Sequence, residues 1–158
     1  MAQVTRLCGP ACAGKSTLAR ELEDDSALVL SFDREAWARG VHDGAFTEEL
    51  MASIDADLHE RMASAVAAGE RVVLDASLST RAVRDIWRMR CDAMGAAHEL
   101  VVVRAPLATL TARLREREPG PESVVLDEGA LERYVAGFEW PGDDEPHRSI
   151  ATGSGCGP

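Results

Sequence analysis

A glycine-containing segment near the amino end constrains the fold more than any other feature of the chain. Residues 9–17 read G-P-A-C-A-G-K-S-T and match the pattern G-x-x-x-x-G-K-[S/T] at every constrained position. An apolar stretch of strand length, residues 4–8, precedes the segment, and a stretch with Leu18 and Leu22 on one helical face follows it. A strand, a glycine-rich loop and a helix in this order form a phosphate-binding loop, whose backbone N–H groups face phosphate oxygens.

Each part of this phosphate loop has an expected chemical role. Glycines allow positive φ and close backbone approach. Lys15 is expected to bridge the β- and γ-phosphates of a nucleotide, and the Ser16 hydroxyl to hold Mg²⁺. Lys15 is the one lysine among 17 basic residues, which sets it apart from ordinary surface charges. The predicted nucleotide-binding residues of the loop are Gly9, Pro10, Ala11, Cys12, Ala13, Gly14, Lys15, Ser16 and Thr17.

Length, composition and charge narrow the class of protein. A chain of 158 residues that is 46% hydrophobic fits one domain, which we place at residues 1–150, with a disordered tail at 151–158. The chain has no apolar run of transmembrane length and no signal-peptide pattern, so we expect a cytoplasmic protein without a membrane partner. Four cysteines without disulfide or zinc spacing indicate reduced thiols. The net charge of −10 makes a nucleic-acid partner less favoured.

Strand and helix patterns alternate along the chain. The predicted strands are residues 4–8, 27–32, 71–74, 99–103 and, at the sheet edge, 147–151. Helices are predicted between them, with Thr47 and Asp127 as N-caps and Pro106 in the first turn of another. This alternation predicts an α/β fold with a mostly parallel sheet sandwiched by helices. Ligands of such folds bind outside the carboxyl ends of the strands.

Two aspartates are expected at that edge, because each follows a predicted strand. Asp33 could accept the proton of an attacking hydroxyl, as phosphoryl transfer requires, or it could only cap the helix that begins at Arg34. Asp75 could orient a magnesium shell or a substrate hydroxyl, or equally serve as a turn or cap residue before 77–80. The acceptor candidates are Asp33, Asp75, Arg34 and also Arg81, which begins a helix with Val83, Ile86 and Trp87 expected inward.

A row of arginines precedes a Pro/Gly break at residues 118–121. Arg113 and Arg117 are four residues apart and share a helical face, whereas Arg115 is expected at the surface. Two guanidiniums beside a flexible segment suit a lid, at about 115–127, that closes on developing phosphate charge. The alternative is a solvated helix end whose cations favour the helix dipole. We assign Arg117 to catalysis and nucleotide binding. We assign Arg113 to nucleotide binding, and for this residue a solvated helix end remains an equal alternative.

Four segments in order resemble a group of small P-loop phosphotransferases that includes polynucleotide 5′-hydroxyl kinases, zeta-toxin kinases and chloramphenicol phosphotransferase. They are GPACAGKST, LVLSFDREAW, VVLDASLSTRAVRD and LTARLRERE, and the resemblance spans residues 3–145. The resemblance implies a P-loop NTPase-type fold with a small lid. It also implies that ATP or GTP is the phosphoryl donor and that Mg²⁺ is required. It also implies Asp33 as the base, Asp75 in acceptor or metal positioning, and Arg117, alone or with Arg113, as the lid arginine.

One departure from the resemblance bears on the acceptor. Polynucleotide kinases of this type carry an arginine three residues after the base, where this chain has Ala36. With the negative net charge, this favours the hydroxyl of a small molecule, such as a nucleoside, a sugar or an antibiotic. A polynucleotide 5′-hydroxyl kinase is the first alternative, and a nucleotide-dependent switch or ATPase the second. A guanine-reading N-K-x-D segment is excluded because the one lysine is in the loop, and Ala76 replaces the second acid of an assembly ATPase.

Overall fold

The computed structural model describes residues 3–122 and 126–153, over which strands and helices alternate. The elements in chain order are β1 (Val4–Cys8), α1 (Lys15–Asp24), β2 (Leu28–Ser31), α2 (Phe32–Ala38), α3 (Glu48–Ala67), β3 (Val72–Asp75), α4 (Arg81–Ala93), β4 (His98–Arg104), α5 (Leu107–Arg115), α6 (Glu128–Ala136) and β5 (Arg148–Ala151). Within the described ranges, none of the helices is long and apolar enough to cross a membrane.

The strands form one parallel sheet in the order β2-β3-β1-β4-β5. In this register Asp75, at the end of β3, lies between Leu7 of β1 and Ser31 of β2. Because the strands are parallel, their carboxyl ends meet at one edge, where the phosphate loop leaves β1. The predicted strands, including the edge strand, are confirmed.

Helices cover both faces of the sheet. Side chains alternate along β1, so that Cys8 joins a core cluster with α3 and α4, and Leu7 joins a second cluster with α1, α5 and α6. Thr47 and Asp127 cap α3 and α6 as expected, since their side chains accept backbone N–H bonds at 3.1 and 2.7 Å. The predicted α/β sandwich of P-loop NTPase type is therefore confirmed.

The buried face of α4 differs from the prediction. Val83 and Ile86, expected inward, are 39% and 43% exposed, whereas Arg84 is buried beside Trp87. The Arg84 guanidinium is satisfied in the interior because it binds both carboxylate oxygens of Glu145, at 2.8 and 2.9 Å. Apolar periodicity predicts that an arginine on this helix faces solvent. Arg84 instead faces the core, where Glu145 neutralises its charge, and Val83 and Ile86 face solvent.

The carboxyl-terminal boundary also needs correction. We expected residues 151–158 to form a disordered tail, but β5 continues to Ala151, and the Thr152 backbone N–H donates to the carbonyl oxygen of Arg104 at 2.8 Å. These residues therefore belong to the domain. Residues 154–158 of the predicted tail, and residues 123–125 of the predicted lid, lie outside the described residues.

Candidate active site

The phosphate loop joins the end of β1 to α1 in a shape that requires glycine at two positions. A Cβ on Gly9 would overlap the carbonyl oxygen of Val103 at the end of β4. Gly14 has φ 107°, in the left-handed region, and directly precedes α1. The close approach and the turn explain why the pattern has glycine at its first and sixth residues.

Lys15 and Ser16 begin α1 and face the carboxylate at the end of β3. Lys15 Nζ donates to the carbonyl oxygen of Pro10 at 3.0 Å, and Ser16 Oγ donates to Asp75 Oδ2 at 3.2 Å. Burial lowers the pKa of Lys15, while the charges of Asp75 and Asp33 oppose that effect. The lysine and the two carboxylates thus act on one another in a partly dehydrated environment.

Asp33 lies in the first turn of α2 but does not cap it. The N-cap is Ser31, whose side chain accepts the backbone N–H of Arg34 at 3.3 Å. The cap alternative for Asp33 is therefore wrong, and the carboxylate faces the phosphate loop. Burial raises the pKa of Asp33, the Lys15 charge opposes this, and Asp75 reinforces it.

Asp75 is likewise not a helix cap, because Thr80 caps α4 by accepting the backbone N–H of Val83 at 3.3 Å. Asp75 is buried, and that burial raises its pKa against the opposing Lys15 charge and Ser16 hydrogen bond. The Ser16 hydroxyl and the Asp75 carboxylate are hard oxygen donors of the kind Mg²⁺ accepts. The residues present therefore fit the ion that the sequence implies.

Arg113 and Arg117 both reach Cys12 in the phosphate loop. Arg113 Nη1 donates to the carbonyl oxygen of Cys12 at 2.9 Å, and Arg117 Nη1 donates to its Sγ at 3.4 Å. Helix α5 ends at Arg115, so Arg117 lies after the helix and does not share a helical face with Arg113 as predicted; it also donates to the carbonyl oxygen of Glu122. Arg115 is 65% exposed, which confirms its predicted surface position.

A cavity of about 670 Å³ opens over the loop. Its lining includes six side chains that the sequence singled out for chemistry: Lys15, Ser16, Asp33, Asp75, Arg113 and Arg117. Segments far apart in the chain meet here because the carboxyl ends of β1, β2 and β3 share one edge. The cavity has both the cations that a triphosphate needs and two carboxylates beside them, of which Asp75 is buried and Asp33 half-buried.

Two predicted acceptor residues do not line this cavity. Arg34 is held by Glu23 at 3.1 Å and by Glu122 at 2.7 Å. Arg81 pairs with Asp144 at 2.5 Å and lines a second, separate cavity. The placement of Arg81 near the acceptor is corrected, because its guanidinium pairs with Asp144 and lines the second cavity instead.

Thr152, which no sequence pattern singled out, contacts the phosphate loop from the end of β5. Its Oγ1 donates to the carbonyl oxygen of Ala13 at 2.6 Å and accepts from Arg113 Nη1 at 3.0 Å. Arg113 and Thr152 therefore fix the carbonyl oxygens of two consecutive loop residues. The available signal was the position of Thr152, directly after an edge strand at the ligand-binding edge.

The fold and the loop define a P-loop nucleotide-binding domain. A family model described as an AAA domain, AAA_33, matches residues 4–141, and the chain belongs to this family. No curated protein sequence gave a significant match.

Solved structures with the same fold include several kinases. A sugar kinase from Janibacter sp. HTCC2649 is 19% identical with a TM-score of 0.69, covering 96% of this chain and 86% of that one. The Mycobacterium tuberculosis APS kinase CysC, in complex with AMPPNP and APS, is 16% identical with a TM-score of 0.60, covering 96% and 88%. A chain of the Pnkp1/Rnl/Hen1 RNA repair complex is 18% identical with a TM-score of 0.70, covering 85% and 43%. These similarities establish the P-loop kinase fold.

Proposed function

We propose that the protein is a kinase that transfers the γ-phosphoryl group of ATP or GTP to a hydroxyl of a small molecule, such as a nucleoside, a sugar or an antibiotic. One observation carries the proposal: Asp33, released from helix capping by Ser31, lines the same cavity as Lys15 and the phosphate loop. A half-buried carboxylate placed beside a triphosphate site can accept the proton of an attacking hydroxyl, as phosphoryl transfer requires.

The donor side of the cavity is assigned to the phosphate loop and the two arginines. Lys15 would exchange its bond to the Pro10 carbonyl for the β- and γ-phosphates, and Arg117, with Arg113, would neutralise charge on the transferred group. Ser16, with Asp75 beside it, would hold Mg²⁺, which supplies charge neutralisation at the phosphates.

The acceptor step is assigned to Asp33. The acceptor hydroxyl oxygen bonds to the γ-phosphorus, its proton passes to the Asp33 carboxylate, and the bond from the γ-phosphorus to the bridging oxygen breaks, releasing the nucleoside diphosphate. Because burial raises the pKa of Asp33, its carboxylate is a stronger base than a solvated aspartate.

The charges beside Asp33 support an acceptor without phosphate. Arg34 follows Asp33 directly but is bound by Glu23 and Glu122, and Glu122 also approaches Arg20 at 3.7 Å. These guanidiniums are neutralised by carboxylates, whereas a polynucleotide would need cations available for its phosphates. The paired carboxylates are neutralised in the same way, so these charges suit a neutral hydroxyl compound.

A phosphoryl-transfer assay tests the function directly. The protein is incubated with Mg²⁺ and γ-labelled ATP or GTP, and is offered 5′-hydroxyl oligonucleotides and a panel of nucleosides, sugars and aminocyclitol antibiotics. We expect label on a small molecule, and none with the Asp33→Asn variant as control. Label on the oligonucleotide would replace this proposal with the polynucleotide kinase, and release of labelled phosphate alone would indicate an ATPase.

The Thr152 contact to the phosphate loop gives a further prediction. Thr152→Val is expected to weaken nucleotide binding by about three- to tenfold, because it leaves the Ala13 carbonyl oxygen without its donor. Thr152→Ser retains the hydroxyl and should restore the affinity. Titration of the nucleotide by calorimetry, with KM and kcat compared, measures the effect. Equal affinity for the valine and serine variants would contradict it.

A further inference from the structure

A second cavity of about 320 Å³ lies beside α4 and β1, and its lining residues are distinct from those of the cavity over the phosphate loop. Two of its lining residues, Leu100 and Pro146, are apolar. The others are charged: Arg6, Arg81, Arg84, Arg88, Asp85, Asp144 and Glu145. With four arginines and three carboxylates, the lining residues carry a formal net charge of +1.

Three of the four arginines have carboxylate partners. Arg81 pairs with Asp144 at 2.5 Å, and Arg84 binds Glu145 through two nitrogens. Arg88 lies 3.5 Å from Asp85 and 3.2 Å from Asp92. Arg6 is therefore the one arginine of this lining without a directly bonded carboxylate, and Asp92, outside the lining, reaches it only through His98.

Arg6 is in the central strand of the sheet and is 4% exposed. Its Nη1 donates to the backbone oxygen of Arg84 at 3.4 Å, and its Nη2 lies 3.1 Å from His98 Nδ1. His98 Nε2 lies 2.9 Å from Asp92 Oδ1, so a neutral imidazole can accept from Arg6 and donate to Asp92. Among the described residues, no carboxylate pairs with Arg6, and its buried Nε has no hydrogen-bond partner.

A buried guanidinium without a counter-charge is costly, because burial removes its hydration without replacing it. Burial lowers the pKa of Arg6, the nearby charge of Arg88 adds to that effect, and Cys91 and Asp92 oppose it without outweighing the burial. The missing partner is one anionic group with oxygens that accept from guanidinium N–H donors. The cavity volume is about ten times the share of one water molecule, which leaves room for such a group.

We propose that this cavity is a binding site for a small oxyanion, a phosphate or carboxylate group that pairs with Arg6. The site is separate from the proposed kinase reaction and does not depend on it. Occupation would give Arg6 a directly bonded counter-charge, which Asp92 supplies only through His98 in the described part of the chain, and would stabilise the folded protein by mass action.

The test uses thermal unfolding of the Lys15→Ala variant, so that the phosphate loop does not dominate anion binding. Inorganic phosphate and malonate are titrated separately against sodium chloride at matched ionic strength. At about tenfold above its Kd, the preferred anion should raise the midpoint by about 3–6 °C more than chloride does. The two arms distinguish phosphate from carboxylate as the bound group. Equal midpoints in all three salts would overturn the proposal.

The matched variants are Arg6→Met and Arg115→Met in the same background. Arg6→Met should lose the anion-specific shift, and without anion it should unfold no earlier than its parent, because an apolar side chain replaces an unpaired buried charge. Arg115, exposed and paired with Glu128, should keep the full shift when replaced. A full shift retained in Arg6→Met would reject the site.

A second measurement covers the case in which Arg6→Met does not fold. In the Lys15→Ala protein labelled with ¹⁵N-arginine, titration with the preferred anion should move the Nε–H resonance of Arg6, with the same half-saturation as the thermal shift. The Arg115 resonance should stay in place. An unmoved Arg6 resonance at saturating anion would overturn the proposal.

Discussion

Asp33→Asn is expected to lower kcat by about 10³-fold or more while nucleotide affinity changes by less than about threefold. Asparagine has nearly the same shape as aspartate but cannot take the acceptor proton at neutral pH. Ser31, which caps α2, is untouched, so the helix should remain in place. Steady-state kinetics with the acceptor found by the labelling assay, together with nucleotide calorimetry, separates the two effects. Near-normal turnover would falsify Asp33 as the base.

The pH dependence gives this prediction a second readout. Burial raises the pKa of Asp33, so the carboxylate takes up a proton at a higher pH than a solvated aspartate. The value of kcat/KM should therefore fall as the pH decreases, with a midpoint above the ordinary aspartate pKa of about 3.9. Asp33→Asn should lack this acidic limb. Asp24→Asn, at an exposed position of α1, serves as the matched control. It should retain the decrease of kcat/KM at low pH and the turnover rate of the parent protein.

Lys15→Ala is expected to weaken nucleoside triphosphate binding by at least about tenfold and to lower kcat by about 10²–10³-fold. The ammonium group held by the Pro10 carbonyl is the charge assigned to the β- and γ-phosphates, both in the bound nucleotide and as charge develops during transfer. Calorimetric titration and turnover of the same preparation measure the two losses.

An internal control distinguishes this role from general damage to the loop. A nucleoside monophosphate has no β- or γ-phosphate, so its affinity should be about the same in the Lys15→Ala variant and the parent protein. Equal triphosphate affinity in both proteins would argue against the assignment of Lys15. A parallel loss of monophosphate affinity would mean that the substitution had disturbed the loop backbone.

Much of the fold could be predicted because its determinants are local. The glycine pattern fixes a turn between β1 and α1, and short apolar runs bounded by turn residues define the other strands. Parallel pairing then places Asp33 and Asp75 at the loop, without any contact having to be known in advance. This is why the two carboxylates and Lys15 could be associated from the sequence alone.

The unpredicted parts depend on contacts between distant positions. Arg84 is buried because Glu145, 61 residues later, neutralises it. Thr152 reaches Ala13 across 139 residues. In both cases the residue type alone indicates an exposed or turn position, and only the tertiary partner reverses that expectation.

The hydrogen bond from Thr152, directly after β5, to the phosphate loop has a consequence for when the loop is completed during synthesis. The phosphate loop lies at the beginning of the chain, but a donor that fixes its Ala13 carbonyl comes from Thr152, after the last strand. During synthesis from the amino end, the loop sequence leaves the ribosome long before the residue that fixes its shape. Nascent chains that lack β5 are therefore expected to bind nucleotide about three- to tenfold more weakly than the finished domain, as predicted for Thr152→Val.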